Sequence, residues 1–187
     1  VKIIENFFSH DASKLIYDGK IISFFQGRSE SGPRAFGNRS ILFNPSIKGM
    51  NDYVNLIKGR ENYRPVAASI LVEHSKKWFD MCSLNDSPYM SYAVDVLYDK
   101  INTIPAVTHV DNTCRIQTVS KKQNNHYYNL IHNFYKLTNI PLLGNTSFNL
   151  AGDPLVETID DAIQTLKKSE IEYLFLPEKN QLIVIKN

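Results

Sequence analysis

Apolar residues recur along this chain at two spacings, one helical and one extended, and the two alternate from end to end. Ile4, Phe7, Phe8, Leu15 and Ile16 lie at roughly helical intervals and predict a helix over residues 4–18, closed by Gly19. KIISFFQ (20–26) then reads as a short buried strand, and SILF (40–43) and VAASILV (66–72) have the same character. Between those two, GMNDYVNLIKGRENY predicts a short helix with Lys58 and Arg60 near its end. A further short helix is expected from about Ser75 to Met81.

The second half continues the alternation. TCRIQTV (113–119) alternates as a half-buried strand does, and the helix expected over 124–138 carries a wide apolar stripe from Tyr127 to Leu137. IPLLGNTSFN is a strand running into a polar turn. Thr158 with Asp161 forms a capping-box-like start, Asp standing where Glu or Gln is usual, and Ile159, Ala162, Ile163 and Leu166 then face inward. EYLFL and QLIVI are two strands around a PEKN turn. No repeat or low-complexity linker interrupts the chain. The pattern predicts one α/β (α+β) domain, residues 1–187, with a twisted mixed sheet flanked by helices. Residues 1–18 begin inside amphipathic material and are expected to be a connection from a preceding domain.

Composition narrows the picture little. A chain of 187 residues that is 43% hydrophobic and 21% charged is an ordinary globular domain. Its net charge of +2 is too small for a broad nucleic-acid face, so any anion site has to be local. The two cysteines, Cys82 and Cys114, lack CxxC spacing and are expected to be reduced, buried thiols in a cytoplasmic protein. No apolar run reaches the roughly 18 residues of a membrane span, and the opening residues have no signal-peptide pattern.

Arginine changes the picture more. The chain has six, and five of them, Arg28, Arg34, Arg39, Arg60 and Arg64, fall between positions 28 and 64, whereas lysines run from Lys2 to Lys186. Guanidinium groups suit bidentate recognition of phosphate and carboxylate. Three of the five stand in QGRSESGPRAFGNRSILFNP (26–45), whose glycines let backbone approach a ligand. KGRENYRP (58–65) places Lys58 and Arg60 two residues apart, with Pro65 holding Arg64 extended. PAVTHVDNTCRIQTV (105–119) offers His109, Asp111 and Arg115 at a strand entrance; the HxD pair has no further ligand spacing, and no metal site is assigned. LLGNTSFNLAGDP (142–154) sets Asn145, Thr146, Ser147 and Asn149 at a strand-to-loop junction, where α/β sheets commonly bind ligands. The four segments together describe an anion pocket.

In order, GRSESGPRAFGNRSIL, VNLIKGRENYRPVAASIL, IPAVTHVDNTCRIQTV and NTSFNLAGDPLVET resemble the C-terminal domain of the O-carbamoyltransferase family, over about Gly19 to Ile185. That family includes nodulation-factor, aminoglycoside, cephamycin and novobiocin-type enzymes. The resemblance implies a YrdC-like fold, and Lys58-Gly59-Arg60 and Ser147-Phe148-Asn149 also resemble the KxR and SxN pairs of threonylcarbamoyl-adenylate synthases. It implies binding of carbamoyl phosphate and ATP with Mg²⁺, formation of carbamoyl-adenylate, and transfer to a sugar or secondary-metabolite hydroxyl by a larger N-terminal, metal-containing domain. No HxxxH motif of that domain occurs here, so a separate domain or subunit is the expected partner, with no membrane involved.

On this reading Lys58, Arg60, Arg64 and Arg115 form an inner clamp supported by Arg28, Arg34 and Arg39, with Lys58, Arg60, His109 and Arg115 as the catalytic set. His109 donates to phosphate or moves a proton, and Asn145, Ser147 and Asn149 orient the carbamoyl group or nucleotide. Three departures from the family pattern stand out: Phe36 for Leu, Asn44-Pro45-Ser46 for DPR, and Asn112 for Gly. An inactive ligand-binding or regulatory module, and an RNA-binding YrdC-like domain, are the alternatives of the same fold.

Overall fold

The computed structural model describes residues 1–185. Among them nine strands form one sheet in the order β1-β9-β8-β2-β3-β7-β4-β6-β5. They are β1 (Lys2–Glu5), β2 (Ile22–Phe25), β3 (Arg39–Phe43), β4 (Ala67–Leu71), β5 (Ala93–Asp95), β6 (Thr113–Val119), β7 (Leu142–Ser147), β8 (Tyr173–Leu176) and β9 (Gln181–Val184). The helices are α1 (Ser9–Tyr17), α2 (Met50–Ile57), α3 (Asn125–Thr138) and α4 (Ile159–Lys167). β2 with β8 and β4 with β6 run parallel and every other neighbouring pair runs antiparallel, which is the mixed sheet expected of a YrdC-like domain.

Continuous apolar runs became central strands because both faces of the sheet are covered: every residue of β2, β3 and β4 is buried. α3 lays Tyr127, Leu130, Ile131 and Phe134 inward, with the Tyr127 ring 5.6 Å from Phe24 of β2, and α1 packs beside it. The Thr158–Asp161 capping box closes the start of α4 as the sequence indicates, with the Thr158 hydroxyl accepting from Asp161 N.

Three expectations are corrected. The helix over 4–18 divides into β1 and α1, because Asn6 turns the chain at φ 56° and Phe7 N–H bonds Asn180 O at 2.8 Å. Ile4 is thereby a strand residue opposite Leu182, and residues 1–5 are an edge of the sheet. The helix at Ser75–Met81 is instead a 3₁₀ turn over Val72–Lys77 that ends as Trp78 N bonds Ser75 O. Cys82 is exposed in a turn at φ 46°, its thiol pushed up by the Asp80 carboxylate, while Cys114 is buried as expected and pushed up to about 12 by burial. β5 has no counterpart in the sequence pattern; three residues long, it is defined by its pairing with β6.

Candidate anion-binding site

Two of the arginine-rich segments and the end of β7 meet at one end of the sheet. α2 stops at Lys58, and Gly59 turns the chain at φ 67°, a conformation that favours glycine. Asn55, a buried amide on the apolar face of α2, holds the segment beyond that turn. Its Oδ1 accepts from Arg60 Nε at 2.5 Å, and its Nδ2 donates to Asn62 O at 3.1 Å and Arg64 O at 2.9 Å. One amide therefore sets the course of the Arg60–Arg64 segment. Asn55 is absent from the residues singled out in the sequence, although a single amide beside Met50, Val54 and Ile57 is the signal that could have marked it.

β7 brings the second half. Past Ser147, Phe148 is fully buried, and this anchors the turn that carries Asn149. Lys58 Nζ donates to the Ser147 carbonyl, to Asn149 O at 2.8 Å and to Asn149 Oδ1 at 3.0 Å, and Ala151 N returns a bond to Lys58 O at 2.8 Å. The Ser147 hydroxyl donates to Asn149 Oδ1 at 2.7 Å. The Lys-x-Arg and Ser-x-Asn pairs, some ninety residues apart, are thus stitched together by the lysine. They border a cavity of about 360 Å³ lined by Pro33, Lys58, Arg60, Arg64, Ser147 and Asn149, among others.

The charge in this corner is uncompensated. Burial, then the neighbouring Arg60, pushes the Lys58 ammonium down to about 7, although its oxygen acceptors favour the charged form. Burial, then Arg64 and Arg115, pushes Arg60 down to about 10. Arg115 is lowered by burial and by Arg34. Four guanidinium groups and an ammonium therefore act on one another, while Glu61, the carboxylate at the cavity, is already bound to Arg64 at 2.6 Å. Arg60 Nη2 and Arg115 Nε are buried and have no hydrogen-bond partner among the described residues. Bare, mutually repelling N–H donors are what a bound oxyanion satisfies.

Other expected site residues lie elsewhere. Arg39 is buried away from the cavity, and both its terminal nitrogens are spent on carbonyls: Nη1 bonds Gln26 O at 2.6 Å and Asn38 O at 3.1 Å, and Nη2 bonds Gly27 O at 3.1 Å and Glu157 O at 2.9 Å, while Nε has no partner among the described residues. Its guanidinium carbon sits 3.5 Å from the Phe25 ring centre. This arginine clamps loops to β2, a correction to its expected role at the ligand. Asn145 is likewise no open contact, since its Nδ2 is shared by Ala35 O, Ser69 Oγ and Gln117 Oε1 inside the protein. Arg28 is exposed and does not line the cavity.

His109 holds the turn into β6. Nδ1 lies 3.0 Å from Thr113 Oγ1 and Nε2 lies 3.4 Å from Val66 O, with burial lowering its pKa. Asp111 accepts from Thr113 N and Oγ1, so it supports the same turn. Asn112 sits there at φ 64°, where asparagine tolerates what glycine prefers. Asn44 receives Ser46 N at 3.0 Å and Ser46 Oγ at 2.7 Å, a local turn that needs neither the acid nor the arginine of the family pattern. Among the described residues no cluster of three or more His, Cys, Asp or Glu residues is arranged to hold a metal, and no helix is long and apolar enough to cross a membrane.

Residues 13–183 match a family described as carbamoyltransferase C-terminus. Nodulation protein NolNO of Sinorhizobium fredii is 44% identical over 165 residues, which cover 87% of this chain and 24% of that protein. Nodulation protein U of Azorhizobium caulinodans is 40% identical over 142 residues, covering 76% and 25%. Full-length HypF in a phosphate- and nucleotide-bound form superimposes with a TM-score of 0.62 at 15% identity, over 97% of this chain and 22% of that one. HypF of T. kodakarensis gives 0.61 at 17%, over 92% and 21%. At these identities the likeness to HypF is one of fold. The chain spans about a quarter of the length of the curated relatives NolNO and nodulation protein U.

Proposed function

The chain belongs to the carbamoyltransferase C-terminus family, and on that premise we propose that its cationic corner binds carbamoyl phosphate and ATP and forms carbamoyl-adenylate. Transfer of the carbamoyl group to a hydroxyl would then fall to a larger domain or subunit of the kind that makes up the rest of the relatives' length. The observation that carries this reading is a cavity lined by Lys58, Arg60 and Arg64 at which Arg60 Nη2 is buried without a partner among the described residues. Two phosphorylated substrates in one cleft repel each other, and such a group of cations offsets that repulsion.

Atom balance requires one water: carbamoyl phosphate, ATP and water give carbamoyl-adenylate, pyrophosphate and phosphate. In this reading Arg60 takes phosphate oxygens with its unused donor and Arg64 closes the rim, while Arg115 and Arg34, which do not line the cavity, add to the positive charge felt there. Lys58, at about 7, gains its proton as the anion arrives and keeps the Ser147–Asn149 turn in place. The Ser147 hydroxyl and the Asn149 amide, already bonded to each other, orient the carbamoyl group. His109 lines a second cavity with Asn62, Val66 and Asp111, so its part in this reading is to hold the turn into β6. Mg²⁺ would arrive with ATP, held by phosphate oxygens and water, because Glu61 is committed to Arg64. The site works by positioning and charge, with no covalent step on a side chain.

Mass spectrometry of the chain incubated with carbamoyl phosphate, ATP and Mg²⁺ tests the proposal. Carbamoyl-adenylate and pyrophosphate are the expected products, lost in Arg60→Ala. A folded chain that binds neither substrate sinks the reading in favour of an inactive module.

A further inference from the structure

The loop from Gln26 to Asn38 reaches the cationic cavity at Pro33, and side chains from distant strands hold two of its carbonyls. Ser69 of β4, Gln117 of β6 and Asn145 of β7 stand on three adjacent strands and are all buried. Ser69 is directly opposite Gln117, and Asn145 is opposite Ala67, so the three side chains share one face of the sheet. Ser69 Oγ donates to Gln117 Oε1 at 2.7 Å, and Asn145 Nδ2 donates to Ser69 Oγ at 2.9 Å. The remaining donors reach the loop. Asn145 Nδ2 bonds Ala35 O at 3.1 Å and Gln117 Nε2 bonds Phe36 O at 2.9 Å. The next carbonyl, of Gly37, receives Gln26 Nε2 at 2.6 Å and Asn124 Nδ2 at 3.2 Å.

Each of the three carbonyls after Arg34 thus accepts a side-chain amide. From the other side Glu30 accepts the N–H groups of Phe36, Asn38 and Arg39. Three polar side chains in a row inside a sheet are costly unless bonded, and the loop takes up their remaining donors, leaving Asn145 Oδ1 without a partner among the described residues. Gly37 makes the approach possible: at φ 97°, a Cβ there would lie 2.2 Å from the Tyr127 ring. Pro33 lines the cavity and Arg34, the next residue, is exposed, so the tethers set where the loop brings a further guanidinium among Arg60 and Arg64.

We propose that Gln117 and Asn145 are positioning residues: by holding the Phe36 and Ala35 carbonyls they keep Pro33 at the cavity and Arg34 beside it before a ligand arrives. The proposal rests on reading the cavity as an anion site. Its consequence is preorganisation, since the cost of gathering the guanidinium groups is met in folding and not on binding.

A double-mutant cycle on carbamoyl phosphate binding, by calorimetry on the full chain, tests it. Gln117→Met keeps the length of the side chain and loses its donor; it should weaken binding about tenfold, the scale of one displaced phosphate contact. With Arg34→Ala already present the same change should cost less than about twofold. An equal factor in both backgrounds overturns the proposal, because the amide would then act without Arg34. Gln117→Glu, which keeps the acceptor, replaces Gln117→Met should the latter not fold. Trypsin cleavage after Arg34 needs no ligand: the wild-type loop should resist and the variant loop should be cut, and equal cleavage also overturns the proposal. A wild-type chain that binds no carbamoyl phosphate sinks the anion reading, and the cleavage result then decides the loop.

Discussion

Arg39 is buried and Arg60 half-buried, and the two arginines do opposite things. Around Arg39 the chain has closed on itself, with four carbonyls and the Phe25 ring meeting the guanidinium. Around Arg60 one amide oxygen meets Nε, Nη2 has no partner among the described residues, and Arg64 and Arg115 act on it more than Glu61 does. Burial alone therefore does not mark a ligand-binding arginine. Nor does a bare donor by itself, since Arg39 Nε is also without a partner among the described residues; the surrounding charge separates them, Glu30, Glu157 and Glu178 acting on Arg39 and Arg64 and Arg115 on Arg60.

Several substitutions separate the two cases. The largest effect is expected for Arg39→Ala, which strands buried carbonyls and should cost about 3 kcal/mol in urea denaturation. A stability loss well under 1 kcal/mol would show that the closed cage is ornamental. Arg60→Ala should leave the denaturation midpoint where it is, or raise it slightly by relieving repulsion. Its effect should fall on binding, with carbamoyl phosphate affinity reduced on the order of 100-fold. An unfolded Arg60→Ala protein would erase the contrast.

Lys58 lies between the two, bonded like Arg39 and repelled like Arg60. Its folded value of about 7 is below the ordinary 10.5, so the folded chain bears an unfavourable charge below pH 7. That penalty fades as pH rises from about 7 towards 10.5, and stability should increase through that window, by about 1–2 kcal/mol between pH 7 and 9. Lys58→Met should remove the slope, and a slope of the opposite sign would mean that the oxygen acceptors outweigh burial. Arg64→Ala should have the smallest effect. The side chain is exposed and already paired with Glu61, so affinity should fall about threefold and the loss should shrink at high salt.

Much of the architecture is legible in local pattern. The strands at 22–25, 39–43 and 67–71 and the stripe of α3 can be read because a buried strand and an amphipathic helix each leave a periodic signature. β5 cannot, because its three residues become a strand only through β6. The helix expected over 4–18 fails for a related reason: Ile4 fits helical spacing in sequence, but β9, near the other end of the chain, offers it a place in the sheet. In the site, the motifs that hold Lys58, Arg60, Arg64, Ser147 and Asn149 stand out in the sequence, and the fold sets these five around one cavity. Asn55, Ser69, Gln117 and Glu30, which hold that cavity and its loop in shape, do not stand out. Single amides and acids inside helices and strands look unremarkable until their partners are known.

The sequence by itself determined the kinds of elements, the family, and the presence of more guanidinium groups than a surface of this charge requires. Only the tertiary structure decided which of those groups are caged by carbonyls among carboxylates and which are gathered with other cations. A hydrogen-bond donor is satisfied or bare according to where acceptors far along the chain come to rest, and Arg39 meets the Glu157 carbonyl across more than a hundred residues while Arg60 meets other cations.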